Sequence, residues 1–158
     1  MRRKLFTLGA LIVLNGCITV PEPVAPILST TEKSKAMVLE FVEVVLFGGN
    51  LDLAPEYLHD DYIQHNPKIP GGLDGFVSYF TDINAQLAQM NATIHGEIEH
   101  VIAEDDLVMV VIAYSIEGPI KVRFRAADLF RVEQDKIAEH WDVREGETLR
   151  DHQLLMQN

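Results

Sequence analysis

Asp128 sits where a carboxylate is least expected. Residues 120–132 alternate in character, and Val122, Phe124, Ala126, Phe130 and Val132 share the face that carries Asp128. A carboxylate among apolar neighbours loses its hydration, so its proton affinity is expected to rise unless a partner holds it charged. That suits a general acid or base. The competing reading is a structural carboxylate that holds an Arg or a backbone turn. Over 136–144 a second alternating run puts Ala138, His140, Asp142 and Arg144 on one face, with Ile137, Glu139, Trp141 and Val143 on the other. His140 and Asp142 then lie side by side, and the carboxylate can orient or tune the imidazole. His100 falls in the row Ile94, Gly96, Ile98, His100 and Ile102 and is expected to point inward, as a pocket residue or a satisfied core histidine. Tyr62, His65 and Asn66 stand just before Pro67, at what reads as a helix–loop boundary. From there Tyr62 could donate to a carbonyl oxygen and His65 could carry a proton; shaping the loop is their alternative role.

Other chemistries find less support. The chain has no H-E-x-x-H, no His pair at helical spacing and one Cys, so no metal site is expected from its motifs. Gly71-Gly72 is not followed by Lys-Ser/Thr, and no G-x-G-x-x-G or G-x-S-x-G occurs, which argues against phosphate cradling and serine hydrolysis.

The elements that must position these groups follow from periodicity. Ala36, Val38, Leu39, Phe41, Val42, Val45 and Leu46 recur at helical spacing, with Thr30 or Thr31 as cap and Gly48-Gly49-Asn50 as stop. A short second helix is expected over 51–58, a turn from Asp60, a loop over 67–72, and a third helix over 73–90. The period then shifts towards two, which predicts four strands over 93–103, 107–117, 120–132 and 136–144. Their short links favour antiparallel neighbours. Helices first and a curled antiparallel sheet after them make an α+β layer arrangement. Lys121, Arg123, Arg125 and Arg131 give the third strand a basic outward face, which either meets an acidic partner or balances Glu on adjacent strands.

The beginning of the chain has a different character. Arg2, Arg3 and Lys4 precede an uncharged run from Leu5 to Leu14, the pattern of a secretory signal. The run is too short for the roughly 20 residues that cross a bilayer as a helix. Leu14-Asn15-Gly16-Cys17 resembles the lipobox of bacterial lipoproteins, which implies cleavage before Cys17 and its lipidation with chains such as palmitate. Pro21, Pro23 and Pro26 suggest an extended tether behind the anchor. The expected organisation is a signal at 1–16, a tether at 17–29, one domain at 30–148 and a tail at 149–158. The expected location is the cell envelope, on the periplasmic side of the outer membrane.

Composition agrees with a folded domain: 158 residues, 47% hydrophobic and 23% charged. Loss of residues 1–16 would remove three cations and take the formal charge from −11 to −14. Such a surface repels phosphate backbones, so a nucleic-acid partner is not expected.

Three stretches carry a resemblance to a known family: Tyr-Ile-Gln-His-Asn-Pro at 62–67, Gly-x-x-x-Phe at 72–76, and Ala127-Asp128-Leu129-Phe130-Arg131-Val132-Glu133 with Lys136 to Val143. Together they resemble the SnoaL-like branch of the NTF2-like superfamily. The resemblance implies a cone-shaped α+β fold with three helices packed against a curved antiparallel sheet of four or more strands, enclosing an apolar pocket. It implies cofactor-free acid/base chemistry of the aldol type, as in polyketide cyclases, with Tyr62, His65, Asn66, Asp128, His140 and Asp142 at the site. Asp128 would accept the proton and His140 would assist; Trp141 would pack away from them. The expected ligand is a small apolar or carbonyl compound, and pairing into a homodimer through the outer sheet face is implied too. Two departures stand out: Val110, Val111 and Ile112 are apolar where relatives place His, and Asp135 replaces a usual Gly. A non-catalytic binding module and an envelope-associated structural protein remain the alternatives, because fold likeness does not carry function.

Overall fold

The computed structural model describes residues 29–119 and 121–145. The expected signal, Cys17, most of the tether, the strand start at Ile120 and the tail lie outside the described residues. The first helix, α1 (Thr30–Phe41), continues as a wider π-helical segment over Val42–Phe47. Its cap is Ser29, one residue before the expected threonines. Ser29 accepts from the Glu32 backbone N–H, and the Glu32 carboxylate accepts from the Ser29 N–H at 2.9 Å, a reciprocal capping box. Thr31 instead accepts from the Asp105 N–H and ties the helix to a sheet turn. A 3₁₀ turn (Leu51–Leu53) and α2 (Ala54–Tyr57) form the short second helical unit.

Residues 58–64 then form an edge strand, β1 (Leu58–Gln64), where a turn was expected. Asp60 and Asp61 face solvent from this edge, so the segment lacks the apolar alternation that marks a half-buried strand. After α3 (Gly72–Gln89) come β2 (Thr93–Glu104), β3 (Leu107–Glu117), β4 (Val122–Glu133) and β5 (Lys136–Arg144). The last four pair as an antiparallel meander, as their short links require. The sheet order is β1-β5-β4-β3-β2, and β1 lies parallel to β5, so the sheet is mixed rather than wholly antiparallel. The chain between β1 and β5, containing α3 and the meander, supplies the long crossover that parallel pairing needs.

The core fills the space between the helices and one sheet face. Val38, Phe41, Val42 and Val45 meet Val108, Val110, Ile112, Phe130 and Ile137 there. The apolar run at 110–112 thus supplies two core residues, Val110 and Ile112.

Two irregularities correct the expected faces. A bulge between Ile98 and His100 shifts the register of β2 by one residue. Beyond it Val101 and Ala103 pack against the core, while His100 and Ile102 turn outward. A second bulge at Ala138, between the pairs Arg131–Glu139 and Val132–Ile137, brings Ile137 into the core against its expected outward placement.

Gly96 makes a close approach that no other residue allows. The Phe47 ring covers it, and a Cβ at this position would run into that ring. Gly-to-Ala in a strand interior normally helps the backbone. Gly96→Ala is nevertheless expected to destabilise the domain by about 1–3 kcal/mol, through forced displacement of Phe47. A lower midpoint in urea unfolding checks this.

Candidate functional site

β4 and β5 bring Asp128 opposite Asp142 and Phe130 opposite His140, so all four share the inner face. Asp128 and His140 are 8% and 7% exposed. His140 Nε2 lies 3.1 Å from Asp128 Oδ1, and the imidazole stacks on Phe130 with centroids 4.8 Å apart. Asp128 Oδ2 is buried and accepts no hydrogen bond among the described residues. A buried carboxylate oxygen left in this state is costly, which singles Asp128 out among the buried residues.

The other side of His140 is set by β1. Its parallel register places Gln64 beside His140, with the Gln64 amide 3.1 Å (Nε2) and 3.2 Å (Oε1) from His140 Nδ1. Gln64 Oε1 accepts the Asn66 backbone N–H at 2.8 Å, which fixes the amide orientation. Its NH₂ group therefore donates to the Tyr62 hydroxyl oxygen at 2.9 Å and towards Nδ1. Nδ1 then accepts, and the Nε2–H of His140 donates to Asp128. A proton arriving on Nδ1 would still find Oε1 within reach, so the same amide serves both charge states of the ring.

Tyr62 is 3% exposed. Burial first, then the nearby Asp128 and Asp142 carboxylates, pushes its phenol well above the ordinary tyrosine range. It accepts from Gln64, and among the described residues no acceptor takes its own hydroxyl hydrogen. Tyr114 is raised in the same direction, by burial and then Asp128, partly offset by Arg144. Both phenols thus stay neutral donors. In the unfolded chain they ionise near pH 10, before they would in the folded one. The stability tied to their protonated forms is therefore complete below pH 10 and is lost as pH rises above it. Unfolding free energy is expected to fall by up to about 1.4 kcal/mol per pH unit for each buried phenol. Denaturation series between pH 9 and 11 check the slope, and Tyr62→Phe should lower it.

Asn66 donates from Nδ2 to Asp142 Oδ2 at 2.9 Å, which fixes the end of β1 to the site strand. His65, the residue between Gln64 and Asn66, points the other way. Its Nε2 lies 2.9 Å from Glu139 Oε2, and its ring stacks on Trp141 at 4.5 Å and 4° on the outer face. The structure therefore gathers Tyr62, Asn66, Asp128, His140 and Asp142, but separates His65 and His100 from them. His100, Asp128 and His140 do not converge, and among the described residues no three His, Cys, Asp or Glu side chains gather as metal ligands would. Gln64 was not among the expected site residues. The signal for it was period two: once 58–64 is a strand, Tyr62, Gln64 and Asn66 alternate with Ile63 and His65.

On the outer face Arg125 pairs with Glu99 and Glu145, and Arg131 with Glu133 and Glu139. The two arginines thus balance Glu on β2, β4 and β5 and just beyond the end of β5. A cavity of about 550 Å³ is bordered by Glu97, Glu99, Tyr114, Phe124, Arg125 and Glu145; neither Asp128 nor His140 lines it.

Three helices on one face of an open, curved, mixed five-stranded sheet, with polar residues gathered on that face, match an NTF2-like cone. The SnoaL-like domain family matches residues 38–140, and the chain belongs to that family. Solved structures with the same fold include a SnoaL-like polyketide cyclase from Agrobacterium tumefaciens. It is 13% identical with a TM-score of 0.61, over 80% of this chain and 99% of that one. An epoxide hydrolase of the LEH-like type from M. tuberculosis is similar at 17% identity and a TM-score of 0.59, over 73% and 80% of the two chains. TsrD from Streptomyces laurentii aligns at 18% identity and 0.58, over 72% and 89%. No relative among curated proteins matches the sequence.

Proposed function

We propose that the domain is a cofactor-independent acid/base catalyst acting on a small carbonyl compound. The observation that carries this reading is the buried Asp128 Oδ2, which accepts nothing from the described residues although its twin oxygen is held by His140. A carboxylate fixed through one oxygen and unbonded at the other is suited to take a proton from carbon. The proton alpha to the carbonyl passes to Oδ2, and the C–H electron pair becomes the enolate. The enolate oxygen takes a hydrogen bond from the neutral Tyr62 hydroxyl, and the Asp128 acid returns the proton at a second atom. Isomerisation returns it to another carbon. Aldol closure returns it to the oxygen of the carbonyl attacked by the enolate carbon, and dehydration to a departing hydroxyl. Gln64 and His140 hold the carboxylate in place and keep one tautomer of the ring. His65 faces away and has no part in this chemistry.

The direct assay follows deuterium from D₂O into the alpha position of small aryl ketones by NMR. Exchange above the buffer rate supports the reading. Ligand binding without any exchange would instead leave a non-catalytic binding module.

We also propose that the domain is tethered to the envelope through lipidated Cys17. The supporting feature is the basic start, short apolar run and single Cys of the sequence. Cys17→Ser should release the protein from the membrane fraction; unchanged fractionation refutes the anchor.

A further inference from the structure

The inner face continues past the acid/base pair into a region that this chemistry leaves unused. Along β5, His140, Asp142 and Arg144 follow at two-residue steps, opposite Phe130, Asp128 and Ala126. The next inner residue of β4 is Phe124, which faces Tyr114 of β3. The two rings stack with centroids 5.0 Å apart at 22°. Arg144 lays its guanidinium carbon 4.4 Å from the centre of the Phe124 ring. Phe47 meets Tyr114 edge-on at 6.4 Å.

Arg144 differs from Arg125 and Arg131 in one respect. Each of those two is paired with two glutamates on the outer face. Arg144 forms no ion pair among the described residues, in a chain with 24 acidic side chains. The nearest carboxylate along its own face, Asp142, is instead engaged by Asn66. A planar guanidinium held over an aromatic ring keeps its edge donors free for a carboxylate.

Strand geometry gives the spacing. Each inner-face step along β4 covers about 7 Å, so the Phe124–Arg144 group lies about 7–13 Å from Asp128. Between them Ala126 presents only a methyl group. We propose that the ligand is an anionic aromatic carbonyl compound. Its carboxylate would meet Arg144, its ring would lie over Ala126 beside Phe124 and Tyr114, and its carbonyl would reach Tyr62 and Asp128. This assignment rests on the acid/base reading for the carbonyl end, but the anion subsite stands on Arg144 alone.

A matched pair of probes tests it. 4-Acetylbenzoate carries a carboxylate, one ring and an exchangeable acetyl group, and 4-acetylbenzamide is its neutral near-isostere. At low salt the full chain is expected to bind the carboxylate about tenfold more tightly than the amide, through a charge-assisted pair. Salt should narrow the gap by screening an exposed site. Arg144→Gln should erase the preference, with the carboxylate losing far more affinity than the amide, and Arg144→Lys should retain part of it. Equal affinities in the wild type, no binding of either probe, or a preference that survives Arg144→Gln overturns the proposal. Deuterium uptake into the acetyl methyl reports separately on the chemistry. Preferential binding without uptake removes the catalytic reading and keeps the anion subsite, whereas equal uptake and binding of both probes does the reverse.

Discussion

Asp128→Asn is expected to lower alpha-proton exchange by about 10²–10⁴-fold, the usual contribution of a positioned general base. The amide can still accept from His140 Nε2 at the position of Oδ1, so the partner ring should keep its place. The oxygen lost as a base is Oδ2, which no described residue satisfies. Removing a buried, half-satisfied carboxylate takes away a desolvation cost. Thermal stability should therefore hold or rise while exchange collapses. Loss of both together would mean that Asp128 is structural, so the split between the two readouts is diagnostic.

Phe41→Ala is expected to cost about 3–5 kcal/mol, a large part of the roughly 5–15 kcal/mol that holds a domain together. Phe41 is 1% exposed and touches three aromatic neighbours, with ring centroids 6.0 Å to Tyr57, 5.8 Å to Phe76 and 5.9 Å to Phe130. These contacts join α1 to α2, α3 and the sheet at one point. Phe130 in turn stacks on His140, and Phe76 meets Tyr62 edge-on at 6.3 Å. The cavity left at Phe41 therefore loosens the supports of two proposed site residues. Urea unfolding should show the lost stability, and any surviving folded protein should exchange alpha protons more slowly than wild type.

The helices and four of the strands were legible because their burial is one-sided and regular. Asp128 was legible for the same reason, as the acidic member of an apolar row that the structure keeps unbroken. Two features broke that logic. β1 is a polar edge whose partner strand lies far along the chain, so nothing local announced it. Without it Gln64 could not be placed, and His65 was assigned to the wrong side of its neighbours. The bulge near Glu99 inverts the β2 pattern midway, and simple alternation carried His100 inward with it. Bulges depend on the pairing of two strands and leave little trace in one of them. Asp135 offers a milder case. It sits at φ 60° beside Gln134 at φ 48°, a two-residue turn whose strained backbone Gly would ease.

The parallel pairing of β1 with β5 also sets the order in which the site can come into being. Asp128 and His140 stand 12 residues apart within one hairpin, so their contact closes a short loop. Gln64 and His140 are 76 residues apart, and their contact waits for the rest of the sheet. Long-range closure is entropically slow, and edge strands are the first to open. The carboxylate–imidazole half is thus expected to assemble first, and the Tyr62–Gln64–Asn66 half to dock onto it afterwards. Fraying of a single edge strand would disarm the tyrosine and the ring tautomer while the core remained folded. Amide hydrogen exchange in Leu58–Gln64 would then follow readiness for the proposed catalysis more closely than global stability does.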